Sequence, residues 1–348
     1  MSKPQRIAVV LFNLGGPDCL GAVRPFLQNL FTDPSIIQVP TLIRKPLAWL
    51  IAKRRFKEAS HIYKALGGAS PLLPNTQAQA AALESILKKT NPDARVFIAM
   101  RYWHPFVEQT LSQVKAYAPD RVVLLPLYPQ LSTTTTLSSF TSWDQLAKQA
   151  NFLTPTTRIC CYPTLEGFIS STATALVQAI KPYKSQEYRV LFSAHGLPQK
   201  IVDAGDPYPH HIALSAQAIA QKAGLTADQW IICYQSRVGP LKWLEPTTTS
   251  EIQACAQEGK GIIMIPISFV SEHSETLYEL DQEYGALAAE AGIPFYHRLS
   301  TPQVNPDFIE GLAHLVQRSL HTPNTCSPGS GSCCPMPSTI CPFQRNSK

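Results

Sequence analysis

The first apolar run of this 348-residue sequence reads Ile7-Ala8-Val9-Val10-Leu11-Phe12-Asn13-Leu14. It lacks the alternation of apolar and polar residues that marks a strand with one solvated face, so it predicts a parallel strand buried on both faces. Seven later runs share this character: Val96–Arg101, Val122–Tyr128, Arg158–Tyr162, Arg189–Ser193, Trp230–Tyr234, Gly261–Ile267 and Pro294–His297.

Longer amphipathic stretches separate these runs and predict helices at Leu42–Leu66, Thr76–Lys89, Phe106–Ala118, Leu165–Ile180, His211–Lys222, Thr249–Gln257, Ser274–Ala289 and Asp307–Leu320. Alternating strands and helices predict an α/β protein with right-handed crossovers. We expect two doubly wound halves, residues 1–160 and 161–305, followed by a helix at 306–321 that packs back on the first half. Residues 322–348 form a Cys-rich tail without hydrophobic periodicity.

The composition excludes several classes of protein. The net charge is +6 and the longest basic run is Lys53-Arg54-Arg55, which is too little for a nucleic-acid partner. Every apolar run is too short to span a bilayer, and the first one lacks a signal-cleavage site. We therefore expect a cytoplasmic protein whose nine cysteines are metal ligands or thiols before they are disulfides.

Polar, aromatic and Gly/Pro residues follow the ends of six predicted strands, where open α/β sheets bind ligands. These segments are Asn13–Pro17, Arg101–Pro105, Tyr128–Gln130, Ser193–Pro198, Tyr234–Pro240 and Glu272–Glu275. Gly15-Gly16 lacks the spacing of a dinucleotide-binding turn, and no phosphate-binding loop motif occurs. The pattern predicts one ligand site, and the motifs give little support for a dinucleotide or ATP site.

Two of these segments carry candidate proton-transfer or metal-binding groups. His195 directly follows an apolar strand, and Gly196 and Pro198 would hold its imidazole in a tight turn. Glu272, Glu275 and Glu279 have the spacing of one helical face, which predicts coupled carboxylates suited to proton relay or to a divalent cation. A solvated helix face is the alternative interpretation of the same spacing.

The sequence closely resembles the ferrochelatase family over nearly its whole length. The resemblance rests on these motifs, in this order and spacing: Asn13–Pro17, Ile51–Arg55, Gly67-Gly68-Ala69-Ser70-Pro71, Arg101–Pro105, Ser193–Pro198, Gln235–Pro240 and Glu272–Leu277. It implies two Rossmann-like halves with parallel four-stranded sheets and a porphyrin cleft between them. It also implies insertion of Fe(II) into protoporphyrin IX, a lyase reaction late in haem biosynthesis that releases two protons.

The resemblance assigns roles to individual residues. His195 matches the essential histidine and Glu275 its partner carboxylate, and the pair is a candidate both for the base and for the ligand of substrate Fe(II). Glu272, His273 and Glu279 fall on the proton or metal path. Positions that hold propionates or line the cleft correspond to Leu14, Arg55, Tyr63, Ser70, Arg101, Tyr102, Ser236, Arg237 and Trp243.

Four tail cysteines, Cys326, Cys333, Cys334 and Cys341, raise a second expectation. Some members of the family hold a [2Fe–2S] cluster with three C-terminal cysteines and one internal cysteine, and four thiolates suit such a cluster. The internal ligand would be Cys161 or its neighbour Cys160. A reduced tail without metal is the alternative, and the choice among the adjacent cysteines is left open.

Other readings of the chain are a coproporphyrin ferrochelatase, a cobalt-inserting relative and a non-catalytic porphyrin or haem carrier. His195 together with Glu275 favours catalysis over carriage. The segment at about 36–66 matches an apolar lip in the family, which raises a peripheral contact with the inner face of the cell membrane; packing on the protein body is the alternative. The sequence leaves monomer and homodimer open.

Overall fold

The structure, a computed structural model, describes residues 5–237, 239–321, 333–334 and 340–341. Its contacts divide the chain into two compact units. Unit 1 comprises Met1–Cys160 and Leu312–Thr325, and unit 2 comprises Cys161–Gly311 and Cys326–Lys348. No helix among the described residues is both long and apolar enough to cross a bilayer.

Unit 1 contains a parallel sheet of four strands, β1 (Ile7–Asn13), β2 (Ala94–Met100), β3 (Arg121–Pro126) and β4 (Thr156–Arg158), in the order β2-β1-β3-β4. Every residue of β1 is buried, as its unbroken apolar run predicts. Its helices are α1 (Val23–Thr32), α2 (Thr41–Ala65), α3 (Leu72–Lys88), α4 (Val107–Tyr117) and α5 (Thr136–Gln149).

Unit 2 repeats the arrangement with β5 (Tyr188–His195), β6 (Trp230–Gln235), β7 (Gly261–Pro266) and β8 (Tyr296–Arg298), in the order β6-β5-β7-β8. Its helices are α6 (Glu166–Ile180), α7 (Gln199–Asp203), α8 (Tyr208–Lys222), α9 (Thr248–Gln257), a π-helix (Glu275–Glu283) and α10 (Tyr284–Glu290). The last helix is α11 (Pro306–Ser319). Its residues up to Gly311 belong to unit 2, and those from Leu312 onward belong to unit 1. The predicted fold class, two doubly wound halves with parallel four-stranded sheets, is confirmed.

Three helices were absent from the sequence prediction: α1, α5 and the short α7. Helix α5 begins with Thr and Ser residues, which favour turns in isolation. Its helical state depends on tertiary packing, because Phe140 and Trp143 meet the ring of Phe12 edge-on at 6.1 Å each.

The fourth strand was misplaced. We expected Arg158–Tyr162, but the strand is Thr156–Arg158, which pairs with Val122–Leu124. Residues 159–162 are buried without belonging to the strand. The apolar composition of residues 159–162 correctly indicated that they are buried. It did not indicate whether they pair in the sheet, and the pairing ends at Arg158.

The acidic segment also differs from its prediction. The helix begins at Glu275 and has π geometry through Glu283, so Glu272 precedes it and does not share a helical face with Glu279. The spacing argument assumed an α-helix of 3.6 residues per turn starting before Glu272. Single π segments inside helices are rare and are enriched at functional sites.

The strand order of unit 2 locates its ligand-binding edge. From β5 the chain continues to β6 on one side of the sheet, and from β7 it continues to β8 on the other side. The order of the strands therefore reverses between the neighbours β5 and β7. Ligands of doubly wound sheets bind beyond the carboxyl ends of the strands at such a point. His195 ends β5, and the segment leading to Glu275 follows β7.

Candidate functional site

His195 is held mainly through its backbone and one ring nitrogen. Its N–H donates to Ser268 Oγ at 3.1 Å, and its carbonyl accepts from the Tyr208 hydroxyl at 3.0 Å. Nδ1 lies 2.7 Å from the carbonyl oxygen of Gly196. Because a carbonyl can only accept, Nδ1 carries the proton, and in the neutral imidazole Nε2 keeps its lone pair.

Glu275 lies between two histidines. Its Oε1 is 3.7 Å from Nε2 of His195, and its Oε2 is 3.7 Å from Nε2 of His273. Both distances exceed that of a hydrogen bond. Within the part of the chain that the structure describes, Oε2 of Glu275 and both ring nitrogens of His273 are buried without a hydrogen-bond partner. Such atoms in a native site suit a proton or a metal ion in transit.

Burial lowers the pKa of His273, and it outweighs the nearby carboxylates Glu275 and Glu272, which act in the opposite direction. The ring packs edge-on against Phe269, with centroids 4.4 Å apart. His273 is therefore a neutral imidazole at neutral pH, able to accept a proton or to bind a transition metal.

Glu279 accepts four hydrogen bonds. The Ser236 N–H donates to Oε1 at 2.8 Å and the Tyr284 hydroxyl at 3.2 Å, while Gln235 Nε2 donates to Oε2 at 3.0 Å and Ser236 Oγ at 2.5 Å. Ser236 adopts a φ of 61° to present both donors. Burial nevertheless raises the pKa of Glu279, with Glu275 acting in the same direction. The carboxyl thus holds a proton more readily than an exposed glutamate does.

Glu272 has the opposite surroundings. Its Oε1 accepts from Arg298 Nη1 and from the Thr301 N–H, both at 2.8 Å. Burial alone would raise its pKa, but the hydrogen bond from Thr276 and the Arg298 charge outweigh burial and lower it. Arg298 also binds Asp281 through Nε at 2.7 Å and Nη2 at 2.6 Å. Arg298 therefore ties the start of the acidic segment to the middle of the π-helix.

The remaining predicted residues of unit 2 lie near this group with different exposure. Ser236 contacts Glu279, as described. Trp243 is buried, and its ring lies 3.2 Å from where a Cβ on Gly196 would be. Because such a Cβ would also lie 2.6 Å from the Gln235 carbonyl oxygen, a backbone atom, the turn after His195 requires glycine. Arg237 is partly exposed, with Nη2 4.0 Å from Glu245 Oε1. Its guanidinium is only loosely held and is open to an anionic group.

In unit 1, Arg101 and Tyr102 converge on a carboxylate that the sequence analysis did not single out. Asp33 Oδ2 lies 2.7 Å from Arg101 Nη2, accepts from the Tyr102 hydroxyl at 2.9 Å and accepts from Ser138 Oγ at 2.5 Å. Burial alone would raise the pKa of Asp33, but Arg101 and these donors outweigh it and lower the pKa. Tyr102 is fully buried, so its ring serves the core of this unit.

The other predicted positions of unit 1 are spread over three segments. Leu14 is partly buried and its carbonyl accepts from the Tyr102 N–H at 2.8 Å. Ser70 is buried, its N–H donates to the Pro17 carbonyl at 2.7 Å, and it would clash with any Cβ on Gly16. The two predicted residues on α2 differ in exposure. Tyr63 is buried, whereas Arg55 is partly exposed and its Nε lies 3.8 Å from Oε2 of Glu58.

A second group of donors lies in unit 2, away from the acidic segment in sequence. Cys161 Sγ and Cys333 Sγ are 3.2 Å apart, and His211 Nε2 is 3.5 Å from the Sγ atoms of both Cys333 and Cys334. The donor atoms of Cys161, His211 and Cys333 all lie within 4.8 Å of one another. Thiolates and imidazole suit zinc or iron. Cys341 is buried, and Cys326 lies outside the described residues.

Sequence reasoning missed Asp33, Arg298 and His211. The first two carry no motif, because their roles depend on partners distant along the chain. His211 was placed only as the start of a predicted helix. The cysteine-rich tail could have prompted a search for a histidine ligand. The sequence alone does not show that His211 contacts Cys333, which is 122 residues away along the chain.

The two parallel four-stranded sheets with their helices define an α/β protein with the fold of the chelatases. The chain is similar in structure to the sirohydrochlorin chelatase SirB from Bacillus subtilis subspecies spizizenii in complex with cobalt, with a TM-score of 0.52 and 10% sequence identity over 91% of this chain and 97% of that chain. SirB from Bacillus subtilis with Fe3+ gives a TM-score of 0.50 at 11% identity over 90% and 95%. At these identities the likeness establishes the fold.

Sequence comparison is more specific. The ferrochelatase family model matches residues 6–320. The chain is 50% identical to a ferrochelatase of Caulobacter vibrioides over 97% of both chains, and 53% identical to one of Phenylobacterium zucineum over 90% of this chain and 92% of that protein. A ferrochelatase of Pelagibacter ubique is 42% identical over 94% and 98%. The chain belongs to the ferrochelatase family.

Proposed function

We propose that this protein inserts Fe(II) into protoporphyrin IX, giving protohaem and two protons as a late step of haem biosynthesis. It would be a lyase of the metal-chelatase type. Family membership supports the reaction, and one observation carries its assignment to this site: the open Nε2 of His195 faces Glu275 at the ligand-binding edge of the unit 2 sheet.

The reaction requires a base, because two pyrrole N–H groups lose their protons as the metal enters. His195 supports this role, since Gly196 fixes the proton on Nδ1 and leaves Nε2 to accept one. A positioned base of this kind contributes about 100- to 10,000-fold to a rate. Iron keeps its oxidation state, so the step needs no redox partner.

Glu275, His273 and Glu279 would carry protons away from His195, or pass Fe(II) toward the porphyrin. The support lies in their environments: Glu275 adjoins both histidines, His273 is neutral, and burial raises the pKa of Glu279, so that its carboxyl holds a proton more readily. Glu272 would act differently, because its pairing with Arg298 makes it an anchor for the segment.

Porphyrin propionates are carboxylates, and guanidinium and hydroxyl groups suit them. Arg55, Ser70, Ser236 and Arg237 would bind them. Arg55 and Arg237 are the two cations of this set, and the side chains of both are partly exposed. The apolar and aromatic side chains that would line the macrocycle are Leu14, Tyr63 and Trp243, together with the stem of Arg101. Tyr102, which is fully buried, would support this wall from within the core of unit 1.

The tail region would hold an iron–sulfur centre of the [2Fe–2S] type in addition to the substrate iron. Cys161 and Cys333 support it, because their sulfurs are already adjacent. Cys334 and Cys341 are the other described candidates. Bound there, such a cluster would supply a redox-active group that also links the tail to the rest of unit 2.

The protein would work in the cytoplasm and contact the inner face of the cell membrane through α2. Large apolar side chains are exposed on and beside this helix: Leu42, Ile43, Trp49, Leu50 and Phe56. The same helix carries seven basic residues and one acidic residue, Glu58. An interfacial contact with anionic lipid suits this combination.

Anaerobic incubation with Fe(II) and either protoporphyrin IX or coproporphyrin tests the proposed reaction. We expect the haem absorption spectrum to appear faster with protoporphyrin IX. Faster turnover of coproporphyrin would make coproporphyrin the substrate. Tight binding of porphyrin without turnover of either compound would make the protein a carrier.

A further inference from the structure

His211 lies in the first turns of α8 and is fully buried. Its Nε2 is 3.5 Å from Cys333 Sγ and 3.5 Å from Cys334 Sγ. Two sulfurs from adjacent residues of the tail therefore flank one imidazole nitrogen inside unit 2.

The spacing of these donors resembles the edges of a metal coordination sphere. With metal–sulfur bonds of about 2.3 Å and metal–nitrogen bonds of about 2.0 Å, a tetrahedral centre separates sulfur from nitrogen by about 3.5 Å. The two His211 distances match that edge. Cys161 Sγ lies 3.2 Å from Cys333 Sγ, which is closer than the sulfur–sulfur edge of about 3.8 Å in such a centre. It is also far beyond the length of a disulfide bond of about 2.05 Å.

We infer that His211 Nε2 is a ligand of the metal centre that Cys161 and Cys333 form, so that the centre has mixed thiolate and imidazole ligands. The inference rests on the proposed tail centre and changes its ligand set from cysteines alone. Zn2+ and the iron of an iron–sulfur cluster both accept these donors, and metal analysis distinguishes them.

The backbone that carries the His211 imidazole is part of a helix. The Ser215 hydroxyl donates to the His211 carbonyl at 3.1 Å, so the backbone that carries the imidazole is fixed within α8. Thiolate ligands buried in this unit would have their charge compensated by the bound metal, since an unpaired buried charge is strongly disfavoured. A rigidly placed neutral imidazole completes the sphere without adding further negative charge.

The neighbouring residue provides a matched control. His210 lies on the same helix, one residue earlier, and is exposed. The full-length wild type, His211→Ala, His210→Ala and Cys161→Ser are purified anaerobically and reconstituted in separate samples with Zn2+ alone or with Fe2+ and sulfide. Bound zinc, iron and acid-labile sulfide are then measured, with the visible absorption spectrum.

We expect the wild type and His210→Ala to hold the same metal at equal occupancy. His211→Ala and Cys161→Ser should each lose at least about tenfold in metal affinity, the lower limit seen when even an outer partner of a metal ligand is removed. Iron with equimolar sulfide identifies a cluster, and zinc without sulfide identifies a single ion. Circular dichroism of each variant checks that the fold is intact.

A second variant keeps the inference testable should His211→Ala unfold. His211→Cys replaces the nitrogen donor by a thiolate, so it should retain metal with a changed visible spectrum and, for a cluster, a lower reduction potential. A spectrum and potential identical to the wild type would overturn the ligand assignment.

The outcomes separate this inference from the proposals on which it rests. If Cys161→Ser loses the metal while His211→Ala keeps it with an unchanged spectrum, the thiolate centre stands and His211 is not a ligand. If the wild type binds neither metal, both the centre and the ligand are wrong. Porphyrin metallation is assayed separately and decides the proposed reaction independently.

Discussion

Glu272 and Glu279 lie on either side of Glu275 and differ in what faces their carboxyl groups. Arg298 and Thr301 compensate the buried charge of Glu272, whereas Glu279 is held by neutral donors alone. The pKa of glutamate is therefore lowered at residue 272 and raised at residue 279. Sequence spacing could identify the acidic segment, but it could not distinguish these roles, because most of the partners come from β6, β8 and the residues that follow these strands.

Replacing Glu272→Gln should destabilise the protein by about 2 kcal/mol at pH 7, because a charge-assisted buried contact to Arg298 is lost. A lowered folded-state pKa stabilises the fold above the ordinary value of 4.5, and this contribution is lost as the pH falls through the folded-state pKa. Urea unfolding of wild type and variant should therefore converge in acid. The exposed Glu290→Gln serves as the control, and a difference independent of pH would contradict the assignment.

Replacing Glu279→Gln should have the opposite pH dependence. A raised folded-state pKa contributes stability that is complete below 4.5 and is lost as the pH rises through the folded-state value. We expect the wild type to lose stability relative to the variant as the pH rises above about 4.5, as measured by urea unfolding at a series of pH values. Parallel profiles for the two proteins would show that the carboxyl is not perturbed by burial.

At the scale of elements, strands were easier to predict than helices. Unbroken apolar runs located seven of the eight strands to within about two residues, since burial on both faces leaves a strong compositional signal. The Ser/Thr-rich start of α5 and the π geometry of Glu275–Glu283 depend on tertiary contacts that no local pattern records.

The contact between α6 and α11 requires glycine at residue 167. A Cβ there would lie 2.0 Å from the carbonyl oxygen of Asp307, a backbone atom that cannot move aside cheaply. We expect Gly167→Ala to destabilise the protein by about 3 kcal/mol in urea unfolding. Gly285→Ala in α10 is the matched control, because its nearest neighbour would be 4.0 Å away and alanine favours helix. Equal stability of the two variants would contradict this packing.

At the scale of the whole chain, the family assignment and the two four-stranded sheets are confirmed, since motifs of several residues in a fixed order are far more specific than any single residue. The porphyrin-binding and proton-path assignments stay predictions. They depend on a ligand and on long-range partners, such as Asp33 for Arg101, that the sequence does not pair.

The exposed apolar residues of α2 predict binding to anionic membranes. We expect the wild type to co-sediment with phosphatidylcholine vesicles that contain phosphatidylglycerol, and less with phosphatidylcholine alone or at high salt. The double variant Leu42→Ser, Ile43→Ser should lose most of this binding, because both side chains are exposed on the helix. Leu153→Ser, at a leucine that is 90% exposed outside α2, is the control, and equal loss there would contradict a specific surface.

The central claim is that His195 is the base for metal insertion, and its direct test is single-turnover metallation of protoporphyrin IX by His195→Ala under anaerobic conditions. The rate of haem formation should fall by about 100- to 10,000-fold, with porphyrin affinity preserved, because the imidazole acts on the pyrrole protons after binding. His210→Ala, which removes an exposed histidine, should react like the wild type. A His195→Ala protein that binds porphyrin and inserts Fe(II) at the wild-type rate would contradict the account.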